Sequence, residues 1–188
     1  ALMDYLLGGS AESFRDSMEA LRENYPAPAF YGAMNFLSTH DTPRLLTLLG
    51  RSSPAPETRD ERAAYRLTET ELARGMALLH LAALVLYTFP GSPMLYYGDE
   101  AGLQGFEDPF NRGTYPWGHE NAALVEYFRR LGALRKSHEA LQHGSIVYQA
   151  AHGRVLAFSR HAGGDRCLTV VNAGTEPLPL SLPWDGPL

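Results

Sequence analysis

The sequence predicts an α/β chain in which a parallel βα arrangement gives way, near Ala140, to an antiparallel sheet. Two observations carry this. Up to Ser137, short apolar runs alternate with longer stretches whose apolar residues recur at helical spacing, the βα rhythm of a parallel sheet. After His138 the period changes to short runs rich in branched and aromatic residues, separated by glycine-containing turns. Only three βα units precede the change, whereas a closed parallel barrel needs eight strands. The expectation is therefore a piece that is incomplete or that closes against another chain.

Taken in order, Ala1–Tyr5 reads as a strand or its end. From Ser10, the positions Phe14, Met18 and Leu21 mark an amphipathic helix that Asn24 and Pro26 break. Ala33–Leu37 is a second strand candidate and runs into the polar cluster Ser38, Thr39, His40, Asp41. Arg51–Asp60, rich in proline, serine and charge, reads as a surface loop or poorly ordered stretch. Thr68 followed by Glu71 forms a capping box at the head of a helix that runs to about Leu86 and becomes apolar all round, hence covered all round. Pro93–Tyr97 is the third strand candidate. Gly98–Gly118 follows as a long loop holding Asp99, Glu100, Asp108, Arg112 and Trp117, and loops of that length are usually functional. A helix over Asn121–Ser137 presents Leu124, Phe128, Leu131 and Leu134 on one face. Ser145–Gln149, Arg154–Arg160, Arg166–Asn172 and Leu178–Leu182 are the strands of the tail. The domains are thus 1–139 and 140–188.

Composition narrows the function. The 188 residues are 45% hydrophobic and 20% charged, the pattern of a soluble globular chain. Sixteen basic residues scattered among 21 acidic ones give a net charge of -5 and no basic stripe, so nucleic acid is not an expected partner. The single cysteine, Cys167, permits no intrachain disulfide and is expected to fill core. The apolar segment Met76–Phe89 is short of the roughly 20 residues that cross a bilayer, so no membrane span is expected. The opening residues lack the basic flank and cleavage site of a signal peptide, which points to the cytoplasm with secretion as the alternative.

Three segments carry candidate chemistry. Asn35-Phe-Leu-Ser-Thr-His40-Asp41-Thr-Pro-Arg44 places an imidazole and a carboxylate just beyond a strand, at the end from which parallel-sheet enzymes build their sites. The alternative is that Asp41 or Thr42 caps the next helix, with Pro43 at its first position. Pro90-Gly-Ser-Pro-Met-Leu-Tyr-Tyr-Gly-Asp-Glu100 ends in two carboxylates, which alone would more often fix a loop than catalyse. Asp108-Pro-Phe-Asn-Arg112-Gly-Thr-Tyr-Pro-Trp117 offers an acceptor, a guanidinium fork and aromatic faces, the mixture that sugars require. Its plain reading is a surface ion pair beside a packed tryptophan.

Together these segments resemble the α-amylase family of glycoside hydrolases, in its neopullulanase, cyclomaltodextrinase and maltogenic-amylase branch. The resemblance includes Leu21-Arg-Glu-Asn-Tyr-Pro26, extends through Leu131-Gly-Ala-Leu-Arg-Lys136 into the tail, and so covers nearly the whole chain. It implies the C-terminal part of a (β/α)8 TIM barrel, its sixth to eighth strands, followed by part of an antiparallel β-sandwich domain. Ala33–Leu37 would be the seventh strand and Pro93–Tyr97 the eighth. It further implies that Asp41 is a catalytic carboxylate that stabilises the transition state, that His40 binds hydroxyls of the same sugar, and that Asp108 and Arg112 grip the next glucose. The nucleophile and the acid/base, which retaining hydrolysis requires about 5 to 5.5 Å apart, come in this family from the fourth and fifth strands, outside this sequence. The isolated chain is then expected to be inactive and to associate with itself or with a complementary barrel fragment. α-Glucan oligosaccharides are the implied ligands. No cofactor or metal is implied in this segment, and any calcium would be held elsewhere. Two departures are Asp4, where the branch often has asparagine, and the residues Asn111-Arg-Gly-Thr.

Two rival readings stand beside this one. A phosphohydrolase using His40 and Asp41 as metal ligands would want further histidines at helical spacing, and none of the seven forms an i, i+4 pair. A non-catalytic relative serving sugar binding or protein association would lack the carboxylates of the other half.

Overall fold

A computed structural model describes residues 1–184. Eight helices and five strands are found among them: α1 (Leu2–Leu6), α2 (Ala11–Asn24), α3 (Ala27–Tyr31), β1 (Met34–Asn35), α4 (Leu45–Gly50), α5 (Arg59–Ala64), α6 (Glu69–Thr88), β2 (Ser92–Pro93), α7 (Ala122–Ser137), α8 (Glu139–His143), β3 (Ser145–His152), β4 (Val155–Ala162) and β5 (Asp165–Asn172). Parallel β1 and β2 pair in register Met34 to Ser92 and Asn35 to Pro93, while β3, β4 and β5 form an antiparallel meander.

The parallel part departs from expectation at its start. Ala1–Tyr5 is not a strand but enters helix α1, whose Tyr5 amide donates to Ala1 and whose Leu7 amide donates to Met3. A five-residue apolar run has no readable period, and burial decides it. Tyr5 and Leu6 are both buried, which neighbours on a strand, facing opposite ways, achieve only between two covered faces. The parallel sheet among the described residues therefore has two strands, each shorter than the sequence suggested. Gly91, at φ +101°, sets up the second: a Cβ there would lie 2.5 Å from the Ala33 carbonyl oxygen, so only glycine lets the chain pass into the ladder.

The helices start where their caps dictate. The Ser10 hydroxyl accepts from the Ser13 amide at the head of α2, and Asn121 accepts from Leu124 at the head of α7. Thr68 and Glu71 close the expected box on α6, and an unforeseen one, Thr58 with Glu61, starts α5 inside the stretch read as loop. Helix α6 is the central element: Leu79, Ala82, Ala83 and Val85 are essentially without exposure, and its apolar surface meets α4, α7 and α1. By length and composition its 20 residues would suffice to cross a membrane, beyond the Met76–Phe89 run read from the sequence. Leu124, Phe128 and Leu131 of α7 are buried as expected, but Leu134 and Leu21 of α2 are exposed, each at the fading end of its helix stripe.

In the tail, β3, β4 and β5 match three of the four expected strands, with boundaries shifted by a few residues. Leu178–Leu182 is not a strand: no ladder takes it up, and Leu178 and Leu180 are exposed. Among the described residues the sheet packs on α2 and α8 rather than on a second sheet. Cys167 lies half-buried on β5, not in the core. Helix α8 occupies the place where the domain boundary was drawn, with Ala140 and Leu141 buried. Two arginines join the sheet to the helices. Arg160, wholly buried on β4, donates to the carbonyls of Thr88 at 2.7 Å and Gly144 at 2.8 Å. Arg154 donates to the carbonyls of Leu6, Gly9 and Ala173, and also to that of Tyr5. Burial pushes the Arg160 guanidinium down to about 10, and the neighbouring Arg135 adds to this.

Candidate functional site

The residues after β1 fold into a tight turn. The Thr39 amide donates to the Thr42 hydroxyl at 2.9 Å, and the Asp41 amide donates to the Thr39 hydroxyl at 3.2 Å. Thr42 is thereby spent on the turn, and α4 begins at Leu45 after Arg44 with no side-chain cap. Neither Asp41 nor Thr42 caps that helix, which removes the plain reading of the His-Asp pair. The Asp41 side chain stands in solvent beside His40, with Nε2 3.3 Å from its carboxylate.

The long loop after β2 brings the other candidates to the same place. A 3-10 turn over Phe110–Arg112 puts Arg112 over the His40–Thr42 turn. Its Nε lies 2.8 Å from Asp108 Oδ1 and its Nη2 3.8 Å from Asp41 Oδ1. Two segments far apart in sequence thus bring four groups to one open surface: an imidazole, a guanidinium and two carboxylates. The packing that fixes them runs through Asn111, a fully buried residue whose amide donates to the carbonyls of His40 at 2.7 Å and Thr42 at 2.8 Å. Trp117, 80% exposed, is not packed under an ion pair; it leans on Tyr115 with ring centroids 4.5 Å apart. That leaves the Trp117 ring open to solvent on the same loop that carries Asp108 and Arg112. Cavities of about 730 Å³ and 340 Å³ lie elsewhere, lined by none of these four residues.

Beneath the turn sits a buried ion pair. Arg44 and Asp99 are each 1% exposed, with Nη1 3.5 Å from Oδ1. Asp99 also accepts from the Ser38 hydroxyl, and Arg44 donates to the Tyr97 carbonyl. The guanidinium carbon lies 4.3 Å from the Tyr96 ring and 4.6 Å from that of Tyr97, so the cation packs against two neighbouring aromatic rings. Burial raises the Asp99 carboxyl to about 6, against the pull of Ser38 and Arg44. Glu100 instead accepts from the Gly98 amide at 2.8 Å, so both carboxylates of the Asp-Glu pair fix the loop. Arg44, Ser38 and Asn111 were within the quoted strings but carried no assigned role. Nothing in their spacing says that a residue on one loop will hold another some 70 positions away.

No protein-family model matches the chain. It is 40% identical over 141 residues to an amylopullulanase of Thermoanaerobacter thermohydrosulfuricus, which takes in 75% of this chain and 9% of that protein. It is 33% identical over 180 residues to a cyclomaltodextrinase of Geobacillus thermopakistaniensis (strain MAS1), 94% of this chain and 27% of that one. The chain thus spans only a small part of the curated relatives it is similar to. Its fold superposes on the debranching enzyme from Nostoc punctiforme with a TM-score of 0.72 at 29% identity, over 89% of this chain and 30% of the other. The cyclic α-maltosyl-(1→6)-maltose hydrolase from Arthrobacter globiformis gives the same TM-score at 28% identity, over 91% and 35%. By sequence and fold alike, the chain belongs to the α-amylase family of glycoside hydrolases, in the branch of amylopullulanases, neopullulanases and cyclomaltodextrinases.

Proposed function

We propose that this chain carries the sugar-positioning and charge-stabilising part of the active site of a retaining hydrolase of α-1,4, and in some substrates α-1,6, glucosidic bonds. The observation that carries the reading is the convergence of His40, Asp41, Asp108 and Arg112 on one surface. A glucosyl ring passing to an oxocarbenium-like state gains positive charge, and Asp41, held less closely by Arg112 than Asp108 is, is the carboxylate left to face it. His40 and the Asp108–Arg112 pair offer donors and acceptors to hydroxyls, Arg112 holding Asp108 while keeping other N–H groups for sugar. The nucleophile and the acid/base belong to strands outside this sequence, so the steps that break the bond are not performed by these residues.

In this reading β1 and β2 are adjacent strands of a (β/α)8 barrel whose remaining strands cover the apolar face formed by Met3, Phe14, Met34, Phe36, Leu37 and Val85. The tail belongs to the β-sandwich that follows such barrels. Cyclodextrins, pullulan and maltodextrins are the expected substrates. The test is Asp41→Asn in the full-length protein, with the 188-residue chain assayed alongside. A positioned charge of this kind contributes about 10² to 10³ in kcat, so the variant should lose that much while KM changes little. An unchanged kcat would remove Asp41 from the mechanism, and glucan hydrolysis by the chain alone would place the missing carboxylates within it.

A further inference from the structure

A second cluster of reactive side chains lies on the opposite part of the chain, where the helices meet the tail. His138 sits at the elbow between α7 and α8, and Asp165 and Cys167 open β5 two residues apart, hence on the same face of the strand. One imidazole nitrogen, one carboxylate oxygen and the cysteine sulfur all lie within 4.8 Å of one another. His138 Nδ1 is 2.9 Å from Asp165 Oδ1, and Asp165 Oδ2 accepts from the Ala140 amide at 2.9 Å. All three residues are partly exposed, so an ion could reach them and would keep room for water.

We propose that His138, Asp165 and Cys167 form a binding site for a thiophilic divalent cation, with zinc as the ion it fits. Nitrogen, oxygen and sulfur in one set are what zinc accepts at about 2.0 to 2.3 Å, usually as a tetrahedron. The thiolate disfavours magnesium and calcium, which take oxygen ligands. The ion would take the place of the proton that Nδ1 and Oδ1 share, that proton passing to Nε2 of a neutral ring or to solvent from an imidazolium, and the thiol proton would leave to solvent. The Ala140 amide on Oδ2 fixes the carboxylate as an outer hydrogen bond does at known metal sites. Burial and the Asp165 charge hold the Cys167 thiol above its ordinary range, so the ion has to displace its proton. Arg160, opposite Cys167 on β4, opposes the ion's charge, but its guanidinium is engaged by the carbonyls of Thr88 and Gly144. A bound ion would join the α7–α8 elbow to β5 across residues that sequence spacing does not mark as a set.

Cys167 is the sole cysteine, which makes the test unambiguous. Cobalt(II) added to the chain should give a sulfur-to-cobalt charge-transfer band saturating at one equivalent, and one equivalent of zinc should slow alkylation of Cys167 at least tenfold. Cys167→Ser should abolish the band, and His138→Gln should weaken it. Absence of a thiolate band, or alkylation unaffected by stoichiometric zinc in the unaltered protein, would overturn the proposal. A band that persists unchanged in His138→Gln would overturn the ligand set.

Discussion

Arg44→Met is the substitution that most sharply tests the frame beneath the site. Methionine fills similar space against Tyr96 and Tyr97 but leaves Asp99 with the Ser38 hydroxyl as its remaining partner, in a place where the carboxyl is 1% exposed. Removing one member of a buried ion pair costs about 3–5 kcal/mol when the other stays charged. The carboxyl can escape by taking a proton, and this makes the cost depend on pH. In the unaltered protein burial raises Asp99 from 3.8 to about 6. A raised folded-state value means that its contribution to stability is fully present below about 4 and is lost as pH rises through 6, a span worth ~3 kcal/mol. Without Arg44 the folded-state value climbs further, because the one neighbouring cation that lowers it is gone. The variant should therefore lose ~3–5 kcal/mol at pH 8 and less than half of that at pH 5, where its Asp99 is protonated. Urea unfolding followed by circular dichroism at the two pH values measures both quantities. Equal losses at pH 5 and pH 8 would refute the charge argument and reduce Arg44 to a packing residue.

Three further outcomes are expected. Arg160→Met should lower stability by about 2–4 kcal/mol in the same unfolding assay, since it strips donors from two buried carbonyls, those of Thr88 and Gly144; a change below ~1 kcal/mol would mean that water replaces the guanidinium. Thr68→Ala should cost about 1 kcal/mol through the α6 cap. Glu71→Gln should flatten the acid side of the stability profile. Amide hydrogen bonds from Ser52 and Thr68 hold that carboxyl down at about 2, so its contribution is present above 4.5 and is lost as pH falls from there through 2. An acid limb of unchanged slope in Glu71→Gln would count against it.

How much of this could be read in advance depended on the range of the interactions. The cap at Thr68, the α7 stripe and the β3–β5 meander are local patterns, and the sequence shows them. Ala1–Tyr5 and Leu178–Leu182 were misjudged for one reason: a short apolar run fits strand, helix or extended coil, and only partners far away choose among them. For the candidate site, the motif strings singled out His40, Asp41, Asp108 and Arg112, which the fold brings together. They could not reveal that Asn111 holds the His40–Thr42 turn, or that Asp99 answers to Ser38 and Arg44 rather than to sugar. Those are pairings across 50 to 70 positions, without a repeating interval to betray them. His138 with Asp165 is hidden in the same way.

The Arg154 clamp bears on how the chain folds. Its guanidinium gathers carbonyls at the end of α1 and the Tyr5 hydroxyl returns to the Arg154 carbonyl at 2.8 Å, so the contact closes a loop across 149 positions. Closing so long a loop carries an entropic penalty that grows with its length and is offset only once the intervening helices and the meander already hold the two ends near each other. The clamp should consequently be absent from the folding transition state. Loosening it should hasten unfolding while leaving the refolding rate nearly untouched, so that α1 is the last segment to dock and the first to leave.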